Sequence, residues 1–268
     1  MAETDLTVDS QGLPLEEPHG SSALPDAARP VPAPAGLTRP GGAVAARPLH
    51  FFWLADCSGS MAQDGRIQAL NNAAEEALPH MRRVASENPN VEVLVRVMRF
   101  STGATWLDEA AVPLGRFVWP RLQADGMTDL GAALRKLTNE LRPSVMPPRS
   151  LAPVVVLLSD GWPTDDFDVA LAELFAEPWG RRAVRLAVAI GRDADREALR
   201  QFIGDPRVLP LEANSPEALA RQIRWASTVG IDAASAPRVG MVGEGHQVES
   251  APRPLGPSTG RVDEIEIW

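Results

Sequence analysis

One six-residue segment limits the possible folds of this chain more than any other feature. Val154–Ser159 reads VVVLLS, with five apolar residues in succession and no alternation between apolar and polar side chains. A segment this short is typical of a strand rather than a helix, and a strand without alternation is buried on both faces. Strands of that kind occur in parallel sheets that helices cover on both sides. The segment therefore predicts an α/β fold.

The residues around this segment repeat the pattern of a short apolar run followed by an amphipathic stretch. Apolar residues at steps of three and four predict helices, and short β-branched or apolar runs predict strands. The predicted strands are 49–55, 91–100, a weaker edge candidate at 105–112, 154–159, 183–190 and 207–211; the predicted helices are 66–86, 128–141, 166–177, 194–203 and one that Pro216 opens. Strands that alternate with helices predict a doubly wound, mostly parallel sheet, as in Rossmann-like folds.

Proline and glycine divide the chain into three parts. Both are enriched in residues 1–47 and 231–268 and less frequent between them. Such a composition is typical of low-complexity, disordered chain. We therefore expect a disordered Pro/Ala-rich tail at 1–47, one domain at 48–230, and a flexible linker with a short C-terminal motif at 231–268.

Composition argues against several classes of function. The formal charge is 26 − 35 = −9, whereas a nucleic-acid binder needs a basic face. The single cysteine, Cys57, rules out an internal disulfide and a cysteine-based zinc site. No signal peptide precedes the domain and no run approaches the roughly 18 apolar residues of a membrane span. We therefore expect a cytoplasmic protein that binds neither nucleic acid nor membrane.

Oxygen-bearing side chains follow two of the predicted strands and open one predicted helix. The strand at 49–55 runs into DCSGS, the strand at 154–159 runs into DGWPTD, and a Thr lies in the loop ADGMT before the helix at 128–141. In a doubly wound sheet these points share one crevice. The set is two carboxylates and three hydroxyls, namely Asp56, Ser58, Ser60, Thr128 and Asp160. All-oxygen ligands suit a hard divalent cation, with Mg²⁺ favoured and Mn²⁺ or Ca²⁺ acceptable.

These five residues, in this order, resemble the metal-ion-dependent adhesion site (MIDAS) of the von Willebrand factor A (VWA) family. That site has the pattern Asp-x-Ser-x-Ser, then a distant Thr and a distant Asp, and the resemblance covers residues 48–230. It implies a VWA fold whose five residues hold a divalent cation. The runs FVWPRLQADGMTDLGAAL and VVVLLSDGWPTDD are most similar to the bacterial tellurium-resistance-associated (TerY-like) branch.

The resemblance implies a non-enzymatic module that binds a partner protein, whose Asp or Glu completes the shell of the cation. Members of that branch are often encoded beside protein kinases and PP2C-type phosphatases, which suggests a stress-defence or phosphorylation-linked signalling complex. Two alternatives stay open. One is a regulatory subunit for a MoxR-type AAA+ ATPase, and the other is a metal-dependent phosphoester hydrolase with Asp165 as its general base.

Each proposed ligand also has a purely structural interpretation. Asp is common as a cap of turns and helices, so Asp56 and Asp160 could serve that purpose alone. Thr128 could act only as the N-cap of the helix that follows it. Cys57 lies beside carboxylates that disfavour a thiolate, so a small, semi-buried packing residue is the favoured interpretation.

A second group of residues is predicted to contact the partner. Trp119 and Trp162 lie in loops near the site, where they either anchor a partner or pack against the loops. Asp165 is either a solvated charge or a support for the ligands. In the C-terminal motif, Ile265, Ile267 and Trp268 could dock on a partner or on a neighbouring copy by adding a strand to its sheet. An acidic residue of the same motif could also reach the metal site, since a linker of about 30 residues spans about 30 Å.

Overall fold

The computed structural model of the protein describes residues 46–160 and 162–235. In this part of the chain a single seven-stranded sheet is flanked by six helices. The strands are β1 (Arg47–Asp56), β2 (Val91–Ser101), β3 (Gly103–Trp106), β4 (Val112–Pro113), β5 (Val154–Ser159), β6 (Val184–Ile190) and β7 (Leu211–Ala213). The helices are α1 (Arg66–Ser86), α2 (Leu130–Glu140), α3 (Phe167–Ala176), α4 (Pro178–Arg182), α5 (Arg196–Ile203) and α6 (Pro216–Ser235).

Strand β1 lies where the order of the sheet reverses. The order is β3-β2-β1-β5-β6-β7, with β4 also paired to β2. From β1 the chain moves outward to β2 on one side, then returns to place β5 on the other side. Loops that leave the carboxyl ends of β1 and β5 therefore diverge to opposite faces and leave a crevice between them, which is where open α/β sheets bind ligands.

The two faces of the sheet bury two separate cores. Alternate residues of β1, such as Phe51 and Trp53, pack with α1 and α6. The residues between them, such as Phe52, pack with α2, α3 and α5. Every residue of β5 is buried, as expected for a strand covered on both faces. The fold is thus the predicted doubly wound α/β architecture.

The structure differs from the sequence-based expectations at the sheet edges. The predicted strand at 105–112 is two short pieces, β3 and β4, which both pair antiparallel to β2. The predicted strand at 207–211 is instead a turn followed by β7, and in this turn the Asp205 carboxylate accepts a hydrogen bond from the Arg207 amide at 3.0 Å.

Two helix bounds also differ from the predicted ones. Helix α2 begins at Leu130 rather than at Thr128. Helix α6 continues to Ser235, beyond the predicted domain boundary at 230.

None of the helices in the described residues combines the length and the apolar character needed to cross a membrane.

Candidate metal centre

The loop after β1 folds its polar side chains around one carboxylate. The Ser58 amide donates to Asp56 Oδ1 at 2.8 Å, and the hydroxyls of Ser58 and Ser60 lie 3.0 Å apart. Asp56 and Ser58 are almost completely buried. A short 3-10 segment, Gly59–Gly65, then leads into α1. The hydroxyls of the Asp-x-Ser-x-Ser motif therefore lie together at the start of α1, as their alternate spacing predicts.

Asp160, directly after β5, closes the site from the other side of the reversal point. The Ser60 hydroxyl donates to Asp160 Oδ1 at 2.8 Å across 100 positions of sequence. From the last residue of β5, the Ser159 hydroxyl donates to Asp56 Oδ2 at 2.5 Å. These two hydrogen bonds join the loops after β1 and β5, so four of the five predicted ligands form one connected cluster.

The backbone brings the loop that carries Thr128 to the same place. The Gly59 amide donates to the Gly126 carbonyl at 3.0 Å, and the Asp125 amide donates to the Cys57 carbonyl at 2.7 Å. Gly126 has a φ of +76°, and a Cβ there would lie 2.5 Å from Thr102 Oγ1, so the tight turn requires glycine. Thr128, two residues further on, is buried. The N-cap position of α2 is occupied by Asp129, so Thr128 is not the predicted N-cap.

The two buried carboxylates have different surroundings. Burial raises the pKa of Asp56 to about 6, against hydrogen bonds from Ser159 and Ser58 that oppose the shift. Burial also raises the pKa of Asp160, but there the opposition comes from a hydrogen bond and the full charge of Arg66. Within residues 46–160 and 162–235 the hydrogen-bond donors to Asp56 are neutral, so a bound cation would supply the opposite charge that Asp160 already has in Arg66.

Arg66, the first residue of α1, is a buried cation inside the site. Its guanidinium donates to Asp160 Oδ2 at 2.7 Å and to Asp193 Oδ1 at 2.9 Å. The Arg66 side chain is 6% exposed and the Asp193 side chain 64%. Gly191, with φ +86°, makes room for it, since a Cβ there would lie 2.9 Å from Arg66 Cζ.

The donor set fits a hard divalent cation. Two buried carboxylates and neighbouring hydroxyls supply oxygen ligands, the type that Mg²⁺ and Mn²⁺ prefer. Among residues 46–160 and 162–235, no group of three or more His, Cys, Asp or Glu side chains forms an alternative metal site. The residues that would hold the ion are Asp56, Ser58, Ser60, Thr128 and Asp160.

The remaining predicted residues fall into three groups. Trp162 is 67% exposed beside Asp160, where a partner can contact it. Trp119 is 4% exposed; it donates to Asn71 Oδ1 at 3.0 Å and packs edge-on against Trp53. Trp119 thus packs within the core and presents no surface to a partner. Ile265, Ile267 and Trp268 lie outside the described residues.

Asp165 caps a helix. Its two carboxylate oxygens each accept a backbone amide of the first turn of α2, from Gly131 and Ala132, both at 2.7 Å. Such a carboxylate complements the positive end of the helix dipole. With one amide bonded to each oxygen, Asp165 supports the loop that carries Thr128, which is one of its two predicted roles, and its contact with a partner stays a prediction.

Cys57 is a buried packing residue. It is fully buried in the core between β1 and α1, and burial raises the pKa of its thiol to about 11. A thiol with that pKa is almost entirely protonated at neutral pH, so it is a poor nucleophile.

The sequence pattern alone does not single out Arg66, the buried cation that contacts Asp160. An amphipathic helix is expected to begin with neutral or acidic residues, because a cation in the first turn opposes the helix dipole. An Arg at the first position of α1, directly after the 3-10 segment Gly59–Gly65, is therefore the available signal that a carboxylate lies nearby.

No protein-family model and no curated protein matches this sequence, whereas solved structures match its fold. The von Willebrand factor type A protein from Catenulispora acidiphila aligns with a TM-score of 0.53 and 17% identity, over 69% of this chain and 43% of that one. The pilus adhesin SpaC from Lactobacillus rhamnosus GG aligns with a TM-score of 0.56 and 16% identity, over 70% and 31% of the two chains. Proximal thread matrix protein 1 from the mussel byssus, with a zinc-occupied MIDAS motif, aligns with a TM-score of 0.51 and 17% identity, over 68% and 48%.

These likenesses establish the fold. This chain spans less than half the length of each of the three proteins. At identities of 16–17% the shared property is architecture, since one fold hosts many functions. The domain has a VWA-type fold.

Proposed function

We propose that this protein is a metal-dependent interaction module that binds an acidic residue of a partner protein through a divalent cation. Asp56, Ser58, Ser60, Thr128 and Asp160 hold the cation, and a carboxylate of the partner completes its shell. The single observation that carries the proposal is the hydrogen-bonded cluster of Asp56, Ser58, Ser60 and Asp160 at the reversal point of the sheet.

The chemistry of the donor set supports binding of an external carboxylate. When bound, the cation supplies a Lewis-acidic centre for an oxygen ligand. The two carboxylates offset the two charges of the ion, and the three hydroxyl ligands are neutral, so the protein adds no excess negative charge that would repel an external carboxylate. Trp162 is exposed beside the site and offers an aromatic contact of the kind enriched in interface hot spots. The zinc-occupied MIDAS motif of the byssus protein supports a divalent cation in this fold, and we favour Mg²⁺ here.

The biological setting rests on the sequence resemblance alone. The similarity to the tellurium-resistance-associated branch favours a bacterial stress-defence or signalling complex, with a kinase or a PP2C-type phosphatase as partner. The alternative, a regulatory subunit for a MoxR-type ATPase, draws on the wider VWA resemblance. A hydrolase is less well supported, because Asp165, the candidate general base, has both oxygens bonded to the amides of α2.

The test is a comparison of partner retention with and without the cation. The tagged full chain is purified from its native cells in Mg²⁺ or in EDTA, and retained proteins are identified by mass spectrometry. We expect one partner to be lost in EDTA and in the Ser58→Ala variant. Substitution of one Asp or Glu of that partner by Asn or Gln then abolishes retention in Mg²⁺. Retention that persists in EDTA, or that no single acidic residue of the partner controls, contradicts the proposal.

A further inference from the structure

The metal centre contains a permanent positive charge of the protein's own. Arg66 bonds Asp160 at 2.7 Å in a site where both side chains are nearly inaccessible to water. Among the buried groups, the carboxylates of Asp56 and Asp160 and the guanidinium of Arg66 sum to −1, whereas the five predicted ligands alone sum to −2. Asp193 and Asp64 also pair with Arg66, at 2.9 and 3.9 Å, but both are more than half exposed, so water screens their charges. A divalent ion would therefore leave the buried groups with a net charge of +1 instead of zero.

Two contacts hold Arg66 in this position. Asp193 accepts from the second terminal nitrogen of the guanidinium at 2.9 Å, and the left-handed Gly191 lets the β6–α5 loop pass beside it. The planar fork of arginine bonds Asp160 through one nitrogen and Asp193 through the other, a geometry that lysine cannot reproduce. Because Asp193 is 64% exposed, water screens its charge more than it screens that of Asp160.

We propose that Arg66 is a positioning residue that weakens cation binding and strengthens the binding of an external carboxylate to the loaded site. Its charge repels the incoming cation. The same charge leaves the loaded centre positive, so the centre attracts an incoming acid. Arg66 also bonds Asp160 Oδ2, whereas Asp160 Oδ1 accepts from the hydroxyl of Ser60, another residue that would hold the ion. This inference rests on the proposed function and adds a residue that sets the balance between its two binding steps.

The sign of the two effects separates this role from a structural one. Removing the charge of Arg66 is expected to tighten cation binding and to loosen carboxylate binding, by about tenfold each for a unit charge in a partly buried site. A purely structural role predicts that both affinities fall together, because the ligands lose their positions.

The test uses Mn²⁺ and acetate as probes of the full-length chain. Electron paramagnetic resonance of free Mn²⁺ gives the cation affinity. The relaxation of water protons by bound Mn²⁺ falls as acetate replaces bound water, which gives the carboxylate affinity. We expect Arg66→Gln, which keeps a hydrogen-bond donor for Asp160, to bind Mn²⁺ about tenfold more tightly and acetate about tenfold more weakly than the wild type.

Two further variants keep the proposal falsifiable if Arg66→Gln folds poorly. Asp193→Asn removes a negative charge near the site, so both effects should reverse in sign and be smaller, about twofold, because that charge is exposed. Arg135→Gln is the matched control. It removes a half-exposed arginine that pairs with Asp166 and Glu173 on the surface, and it should change neither affinity by more than about twofold.

The possible failures are distinguishable. If the wild type binds no Mn²⁺, the proposed function itself fails. If the wild type binds Mn²⁺ but Arg66→Gln and Asp193→Asn leave both affinities unchanged, the role of Arg66 is overturned while the metal site stands. The same holds if, within each variant, the Mn²⁺ affinity and the acetate affinity rise together or fall together.

Discussion

The two loops that meet at the metal centre carry the same residue type in opposite electrostatic settings. The loop after β1 presents Asp56 to neutral donors only, the Ser58 amide and the Ser159 hydroxyl. The loop after β5 presents Asp160 to the guanidinium of Arg66. Both carboxylates are buried, so the two differ in the charge of their hydrogen-bond partners and not in their burial. One carboxylate depends on an added cation, whereas the other already has one.

This comparison shows that a buried charge can stabilise or destabilise a metal-free fold according to what faces it. The attraction within a short ion pair offsets part of the free-energy cost of desolvating its two charges, and breaking the pair leaves an uncompensated charge. Hydrogen bonds from neutral donors offset less of that cost for a buried carboxylate, so its pKa rises. The matched substitutions Asp160→Asn and Asp56→Asn should therefore act in opposite directions in EDTA.

Among substitutions at the metal centre, the largest effect is expected for Asp160→Asn. The change leaves Arg66 buried with the exposed Asp193 as its remaining anionic contact at hydrogen-bond distance, so the free energy of unfolding should fall by about 2–3 kcal/mol. Urea denaturation of the full chain in EDTA measures this loss. A change smaller than about 0.5 kcal/mol, the usual range for surface substitutions, would show that the Arg66–Asp160 pair contributes nothing net.

A smaller effect of opposite sign is expected for Asp56→Asn. Removing an unpaired buried charge at pH 8 should raise the free energy of unfolding in EDTA by about 1–2 kcal/mol. The same variant should lose its cation affinity, since a neutral amide replaces a carboxylate ligand. Destabilisation in EDTA would contradict the contrast drawn between the two loops.

The stability difference between Asp56→Asn and the wild type should depend on pH. The pKa of Asp56 is raised from its ordinary value of 3.8 to about 6 in the folded chain, so the folded state binds this proton more tightly than the unfolded state. The free energy of unfolding of the wild type therefore falls as pH rises from about 4 to about 6, through this group. We expect the advantage of Asp56→Asn to vanish below about pH 4 and to be complete above about pH 7, in urea titrations in EDTA. A gap that is independent of pH would show that Asp56 is not the titrating group.

Cation affinity should follow the same titration. The wild type binds the cation through ionised carboxylates, so binding at about pH 6 or below must displace the Asp56 proton. We expect the Mg²⁺ affinity to fall about tenfold for each pH unit below about 6, with proton release seen as a buffer-dependent heat in calorimetry. Buffer-independent heats at pH 5.5 would contradict this linkage.

The smallest effect on stability is expected at Trp162, which extends the loop after β5 into solvent. Because its side chain is 67% exposed, Trp162→Ala should change the free energy of unfolding by less than about 0.5 kcal/mol while it weakens partner retention. The matched control is Trp119→Ala, which empties a buried site and should cost about 3–5 kcal/mol. Thermal unfolding and the Mg²⁺ retention assay measure the two consequences. Unchanged partner retention in Trp162→Ala would remove this residue from the interface.

The sequence predicts much of this architecture because the decisive signals are local. The unbroken apolar run of β5 has the bounds expected, Val154–Ser159, and α1 occupies residues 66–86 as its periodicity predicts. The sequence predicts that five ligands, four after strand ends and one at the start of a helix, meet at one place, and four of them are joined by hydrogen bonds in the structure.

The features that the sequence does not reveal depend on contacts between distant segments. The sequence predicts one edge strand at 105–112 but not its division into β3 and β4, because that division follows from their separate antiparallel pairings with β2. Trp119 is buried against Trp53 and donates to Asn71 on α1, whereas Trp162 is exposed, and these contacts join segments that are distant in the sequence. Arg66 acquires its role from Asp160, 94 positions away.

The central claim is that five side chains from three loops surround one divalent cation, and diffraction from crystals grown with Mn²⁺ tests it most directly. We predict a single anomalous difference peak in the crevice bounded by Asp56, Ser58, Ser60, Thr128 and Asp160, with Mn–O distances of about 2.0–2.3 Å. No peak there, or a peak ligated by other residues, would contradict the account.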